Sequence, residues 1–175
     1  MACLLTSGRA LPCKSSVGGL KAVYFADYGT LGDVTLVAGE ITAIAGTPDF
    51  FKYDIKGSSS LETAITSSRE NGTTFYTQTL NLTLTTLDKA TQEQIKLLSV
   101  SRPHIAVEDY NGNFFLVGLE HGSEVTGGSI ASGATMADAS SFSLTFEAME
   151  KSPANFTVST VVTANESAAQ IDPNA

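Results

Sequence analysis

The feature that most constrains this chain is a strict alternation of leucine with small polar residues near its middle. Leu80, Leu82 and Leu84 alternate with Thr79, Asn81, Thr83 and Thr85. Successive side chains of a β-strand point to opposite faces of the sheet, so this period of two predicts a strand with one apolar face and one wet face. The rest of the chain is expected to add strands to this one.

A short helix is predicted directly after this strand. Asp88 can accept hydrogen bonds from the open backbone N–H groups of the first turn, with Thr91 and Gln94 as an alternative capping pair. The helix then runs from Lys89 to about Ser101. It ends before Pro103, because the residue that precedes a proline is disfavoured in the helical region. A narrow apolar stripe predicts that the helix lies on a sheet with its other side in water, and its members are Ala90, Ile95 and Leu98.

Two hairpins are predicted to flank the helix. In the first, residues 60–68 alternate and then turn through Glu70, Asn71 and Gly72 into the leucine strand. In this register Leu61, Thr63 and Ile65 lie opposite Ser60, Glu62 and Thr66. In the second hairpin, residues 105–109 and 114–119 are joined at Asn111 and Gly112, the commonest two-residue sequence for a type I′ turn.

Further strands bring the total to roughly nine or ten with one helix. They are predicted at residues 20–26, 34–38, 41–45, 50–55, 140–150 and 156–162. The predicted fold class is therefore mainly β, an antiparallel β-sandwich or partly closed barrel with one flanking α-helix. We expect an N-terminal arm at residues 1–16, a β domain at 17–151, and a C-terminal strand at 152–175 with a disordered tail beyond Ala164.

The composition argues against several classes of function. The chain of 175 residues has 10 Lys and Arg against 18 Asp and Glu, a formal net charge of −8. Affinity for nucleic acid comes from clustered basic residues, so nucleic-acid binding is not expected. Residues 1–14 lack the apolar run of a signal peptide, and no run is long enough for a membrane span, so we expect synthesis in the cytoplasm without a membrane anchor. Cys3 and Cys13 are expected to be free thiols.

No residue cluster in the sequence predicts catalysis, a cofactor or a metal. His104 and His121 have no partner at the spacing of a metal site. Residues 127–133 are rich in glycine but lack the Gly-Lys-Ser/Thr ending of a phosphate loop. Glu108 and Asp109 are neighbours on a strand and should point to opposite faces. The sequence therefore favours a protein that is not an enzyme.

The order of elements resembles the tail tube proteins, or major tail proteins, of long-tailed bacteriophages. The resemblance is carried mainly by residues 104–120, 122–128, 134–138 and 141–154. It implies six copies in a ring, stacked rings, and a continuous inner β-barrel with the helix outside. It also implies contacts with other tail or neck proteins, and a place in the virion tail, where DNA passes through the lumen without sequence-specific binding.

The residues themselves make such an assembly reasonable, because many strands leave open sheet edges that neighbouring copies would close. A close variant is a neck or baseplate component with the same fold. From another class, a β-sandwich module that binds carbohydrate or a cell surface remains an alternative, although the chain lacks the tryptophan that such sites often expose.

Two sets of residues are expected to carry the role that the resemblance implies. On the long hairpin, the leucine face, with Leu61 and Ile65, should pack under the helix. The opposite face should meet water in the lumen, and its members are Ser60, Glu62, Thr66, Thr79, Asn81, Thr83 and Thr85. Residues 120–139 contain one possible short strand near Val125. They are long for a structureless loop and are assigned to subunit contact through small side chains and flexible backbone. The contact residues are Ser123, Gly127, Gly128, Ser129, Ala131, Ser132 and Gly133.

Overall fold

The structure, a computed structural model, describes residues 3–173 and contains two β-sheets packed face to face. The strands are β1 Leu20–Ala26, β2 Val34–Val37, β3 Glu40–Ile44, β4 Phe51–Asp54, β5 Ser60–Ser68, β6 Thr73–Thr85, β7 His104–Asp109, β8 Phe114–Val117, β9 Glu124–Ala131, β10 Ser141–Glu150 and β11 Asn155–Thr157. The helices are α1 Lys89–Val100 and α2 Ser159–Thr163. The predicted mainly β sandwich is confirmed. Within residues 3–173 the sheets do not close into a barrel.

The larger sheet has seven strands in the order β2-β3-β11-β8-β7-β1-β4. Its pairs are antiparallel except β3 with β11, which run parallel. The smaller sheet has four strands in the order β5-β6-β10-β9, all antiparallel. Here β5 and β6 form the predicted long hairpin, with Leu61 opposite Leu80 and Glu62 opposite Thr79.

The main core lies between the two sheets. From the four-stranded sheet, Leu80 and Leu82 on β6 and Phe146 on β10 are almost fully buried. They pack against β1 and β7, whose contributions include Val23 and Ile105. Burying apolar surface in this layer supplies most of the driving force for folding.

The helix α1 covers one end of this core. Asp88 caps it as predicted, since its carboxylate accepts a hydrogen bond of 2.7 Å from the backbone N–H of Thr91. Of the predicted apolar stripe, Ile95 is buried and Leu98 is half-buried, but Ala90 is exposed. The contact between the helix and the sheets is therefore narrower than expected.

A second core covers the other face of the seven-stranded sheet. Its members include Ala22 and Tyr24 on β1 and Ala106 on β7. Ile41 on β3 and Val162 on α2 belong to the same cluster. Residues 156–162 were predicted as a strand, which is wrong beyond Thr157. The chain turns there into α2, because this conformation buries Val161 and Val162 over the sheet.

The C-terminal segment is ordered further than predicted. The Phe50 N–H donates to the Asn165 carbonyl, and the Ser167 N–H donates to the Phe50 carbonyl. These bonds tie residues 165–167 to the start of β4, so the expected disordered tail beyond Ala164 is wrong for this part. Of the predicted arm and tail, residues 1, 2, 174 and 175 lie outside the described residues.

The β7–β8 turn is also different from the prediction. Gly112 has a φ of 82°, but Asn111 does not share a positive φ, which a type I′ turn requires at both positions. The Gly112 N–H instead donates to the Asp109 carbonyl, and the Asp109 carboxylate accepts from the N–H groups of Asn111 and Asn113. The result is a three-residue hairpin loop that the Asp109 side chain holds in place.

Candidate functional site: the polar face of the four-stranded sheet

The four-stranded sheet buries one face and leaves the other in water. Alternation along β6 turns Leu80, Leu82 and Leu84 into the core, so the residues between them point outward. Pairing with β5 then places all seven predicted water-facing residues on this outer side, which confirms the predicted register. We call this surface, formed by the outward side chains of β5, β6, β10 and β9, the polar face.

The sequence analysis missed the part of the polar face that lies on β10 and β9. Pairing places Ser143 beside Thr83, Thr145 beside Asn81 and Glu147 beside Thr79. The alternation in residues 141–150, with Phe142, Leu144 and Phe146 inward, already contained this information.

The charge of the polar face is entirely negative. Glu62, Thr79, Glu147 and Glu124 lie in one row across the four strands. Strands are about 4.8 Å apart, and like charges directly opposite each other, as Glu147 and Glu124 are, destabilise a sheet. No Lys or Arg occurs in any of the four strands to offset them. The polar face therefore repels anions.

Hydrogen bonds between neighbouring strands fix several hydroxyl groups of this surface. Thr145 Oγ1 donates to Asn81 Oδ1 at 3.1 Å across the β10–β6 pair. At the hairpin base, Thr83 Oγ1 donates to the Ser58 carbonyl, and Ser59 Oγ accepts from the Thr83 N–H, both at 3.1 Å. These hydrogen bonds fix the orientation of the side chains that carry them.

Within residues 3–173 no further strand pairs with either edge of the four-stranded sheet, although α1 contacts β9. The edge strands β5 and β9 each pair on one side only. Each carries an exposed isoleucine on the side of the sheet that packs in the core, namely Ile65 (69 % exposed) and Ile130 (52 % exposed). Ile65 was expected to pack under α1, which is wrong because the hairpin extends beyond the core at that point. Open edges with apolar side chains are typical of surfaces that another chain covers.

The predicted contact loop at residues 120–139 is mostly ordered structure. Its middle forms β9 along β10, and this strand holds Gly127, Gly128, Ser129 and Ala131. A Cβ on Gly128 would lie 2.5 Å from the Ser143 carbonyl oxygen, so the strand needs glycine there. The possible strand near Val125 is present but extends over Glu124–Ala131, and the expectation that the rest of this stretch is flexible loop is therefore wrong.

The two ends of that segment are also held within the chain. Ser123 is fully buried, and its Oγ donates to the Pro103 carbonyl at 2.8 Å, so its side chain does not face a neighbouring copy. Ser132 and Gly133 begin a loop in which the Asp138 carboxylate accepts from the N–H groups of Ala134 and Thr135. These bonds lower the pKa of Asp138.

One cluster elsewhere has the chemistry of metal ligands, although the sequence predicted no metal site. Glu120, His121 and Glu150 place one potential ligand atom each within 4.8 Å of one another. The buried Glu150 carboxylate accepts from the N–H groups of Glu120 and His121, and Lys151 lies 3.7 Å from Glu120. The carboxylate of Glu150 therefore already stabilises the turn that carries the other two residues.

The second histidine has a structural role. His104 is buried, with Nε2 accepting from the Gly29 N–H and Nδ1 donating to the Gly118 carbonyl. Burial lowers its pKa, which keeps the ring neutral.

Comparison of the chain with protein-family models, with curated proteins and with solved structures finds no match. Neither helix within residues 3–173 has the length and apolar character needed to cross a membrane.

Proposed function

We propose that this chain is a structural subunit that assembles into the tail tube of a long-tailed bacteriophage, with the polar face lining the channel through which DNA passes. The observation that carries the proposal is a four-stranded sheet whose outward face has three glutamates, many hydroxyl groups and no Lys or Arg beside the apolar Phe75 and Met149, and whose two edge strands each pair on one side only. In this assignment the protein has no catalytic role, is made in the host cytoplasm, and ends in the virion tail beside other tail or neck proteins.

The directions of the edge strands support closure into a ring. Strand direction alternates across β5-β6-β10-β9, so the two edges run in opposite directions. A copy rotated about an axis roughly along the strands therefore presents its β5 antiparallel to β9 of its neighbour. Such a contact is head-to-tail, and a rotation that closes makes a ring without free edges.

The dimensions suit a conduit. Six copies, the number that the resemblance implies, would give 24 strands. At about 4.8 Å per strand and a tilt of about 40°, the barrel would be about 48 Å across, which leaves a wide channel after side chains are added. A wall without Lys or Arg makes no ion pairs with phosphate, so DNA would slide along it without being held.

Electron microscopy of the purified protein, with and without the edge contact, tests the proposal. We expect the wild-type chain to form rings with a central opening or stacked tubes. The Ile130→Lys variant places a charge on the open β9 edge and should leave folded single subunits, since edge charges block strand addition. Met136→Lys is the matched control, because Met136 is fully exposed in the 132–140 loop and off the edge.

If the wild-type chain showed only single subunits at every concentration, the proposal would be contradicted. They would favour the alternative of a β-sandwich binding module. Equal assembly by the Ile130→Lys and Met136→Lys variants would exclude the β9 edge from the contact.

A further inference from the structure

The N-terminal arm, residues 3–16, is an extended segment whose apolar side chains lie in water. Leu4, Leu5 and Leu11 are 80 %, 100 % and 97 % exposed. Every residue from 3 to 19 is exposed. Three adjacent or nearby leucines in water are unfavourable, so this segment is suited to contact an apolar surface that its own subunit does not supply in this structure.

The arm is held at its base. The Asn111 side chain accepts from the Val17 N–H at 3.0 Å and donates to the Val17 carbonyl at 2.7 Å. Two residues later, the Gly19 carbonyl accepts from the Tyr110 N–H. The arm therefore leaves the body at the β7–β8 turn, and the segment beyond this clamp is free to reach outward.

The charge of the arm is opposite to that of the body. Residues 1–19 contain Arg9 and Lys14 and no acidic residue. The other 8 of the 10 basic residues and all 18 acidic residues lie in the rest of the chain. A basic arm on an acidic body is complementary to the body of a second copy.

The body offers an apolar cavity of about 390 Å³ beside the edge strand β4. Its apolar wall is formed by Phe51, Tyr53, Leu84 and Ile171, and its polar residues include Gln94 and the Lys52–Asp54 ion pair, with Nζ 3.5 Å from Oδ1. The apolar part of the wall suits the leucines of the arm, and the net acidic body around the cavity suits the basic residues of the arm.

We propose that the N-terminal arm of one copy docks in this cavity of a second copy, with Leu4 and Leu5 in contact with its apolar wall. Fourteen extended residues span about 45 Å, well beyond the radius of gyration of about 16 Å expected for a domain of this size. The arm is therefore long enough to reach a neighbouring body. This contact is separate from the β5–β9 edge contact and does not depend on it.

Disulfide trapping between two tagged versions of the full chain tests the contact. The donor carries Cys13→Ser and keeps Cys3 beside the leucine pair. The acceptor carries Cys3→Ser, Cys13→Ser and Gln94→Cys on α1 at the cavity. The control acceptor has Glu93→Cys instead, because Glu93 is exposed on the same helix but does not line the cavity. The two tags distinguish the mixed dimer from dimers of one version.

We expect oxidation to give mixed dimers with the Gln94→Cys acceptor and far fewer with the Glu93→Cys control. Adding Leu4→Ser and Leu5→Ser to the donor should lower their yield by at least about tenfold, since burial of one leucine side chain changes an equilibrium constant by that factor or more. Adding Arg9→Glu and Lys14→Glu to the donor instead should also lower the yield of mixed dimers.

Equal trapping at the two helix positions, or no effect of the leucine substitutions, would overturn the proposal. Trapping can occur in a variant that forms no rings, so the two contacts fail independently.

Discussion

The sharpest test of the four-stranded sheet is a pair of neighbouring aspartate substitutions on β6. Leu82 is 1 % exposed in the core, whereas Thr83 points to the polar face. Truncating a buried leucine costs about 2–5 kcal/mol, and an unpaired buried carboxylate adds several more. The sum for Leu82→Asp is comparable to the whole free energy of unfolding of a typical domain, about 5–15 kcal/mol. Thr83→Asp loses one hydrogen bond to Ser58, worth about 1 kcal/mol.

Urea unfolding followed by far-UV circular dichroism measures both variants. We expect Leu82→Asp to be unfolded without denaturant, and Thr83→Asp to unfold cooperatively with a slightly lower midpoint. Leu82→Ala serves as an intermediate case that should remain folded and lose about 2–5 kcal/mol. If Leu82→Asp and Thr83→Asp had the same midpoint, the assignment of the two faces of β6 would be refuted.

Two further predictions concern single residues. Gly128→Ala should destabilise the protein by about 1–3 kcal/mol in the same urea assay, because its Cβ would lie 2.5 Å from the Ser143 carbonyl oxygen. Gly127→Ala is the control. No atom lies within 4 Å of its Cβ, so this variant should lose little stability. Burial holds the pKa of His104 below the ordinary histidine value of about 6.5, so the unfolded chain binds a proton there before the folded one does. Stability should therefore fall as the pH drops below about 6.5. His104→Gln should flatten that part of the stability–pH curve, and an unchanged slope would show that another group causes it.

The parts of the fold that the sequence predicts well are those with a clear local pattern. The hairpin register follows from alternation, because a slip of one residue would turn Leu80, Leu82 and Leu84 into water. The helix start follows from Asp88, whose carboxylate satisfies a backbone N–H that the helix leaves open. Both features depend on residues that are neighbours in the sequence.

The parts that the sequence predicts poorly depend on distant contacts. The glycines and serines of β9 lack a strand pattern, and the strand forms because it pairs with β10. Residues 159–163 are rich in β-branched residues that favour strands, yet they form α2 because this places Val162 in the second core. The acidic row of the polar face also depends on distant contacts, because Glu62, Glu147 and Glu124 are far apart in the chain and come together only through strand pairing.

The two sheets differ in a way that limits where a function of this protein can lie. The seven-stranded sheet is covered on one side by the four-stranded sheet and on the other by the second core. In the described part of the chain, the four-stranded sheet is covered on one side only, where the apolar residues of its alternating pattern pack into the main core. On its exposed side Glu147 lies opposite Glu124, and neither forms an ion pair with a residue of the described part of the chain, an arrangement that costs stability. Under the proposed function, this acidic surface would keep DNA from being held in the channel, a role that the requirements of the fold alone do not supply.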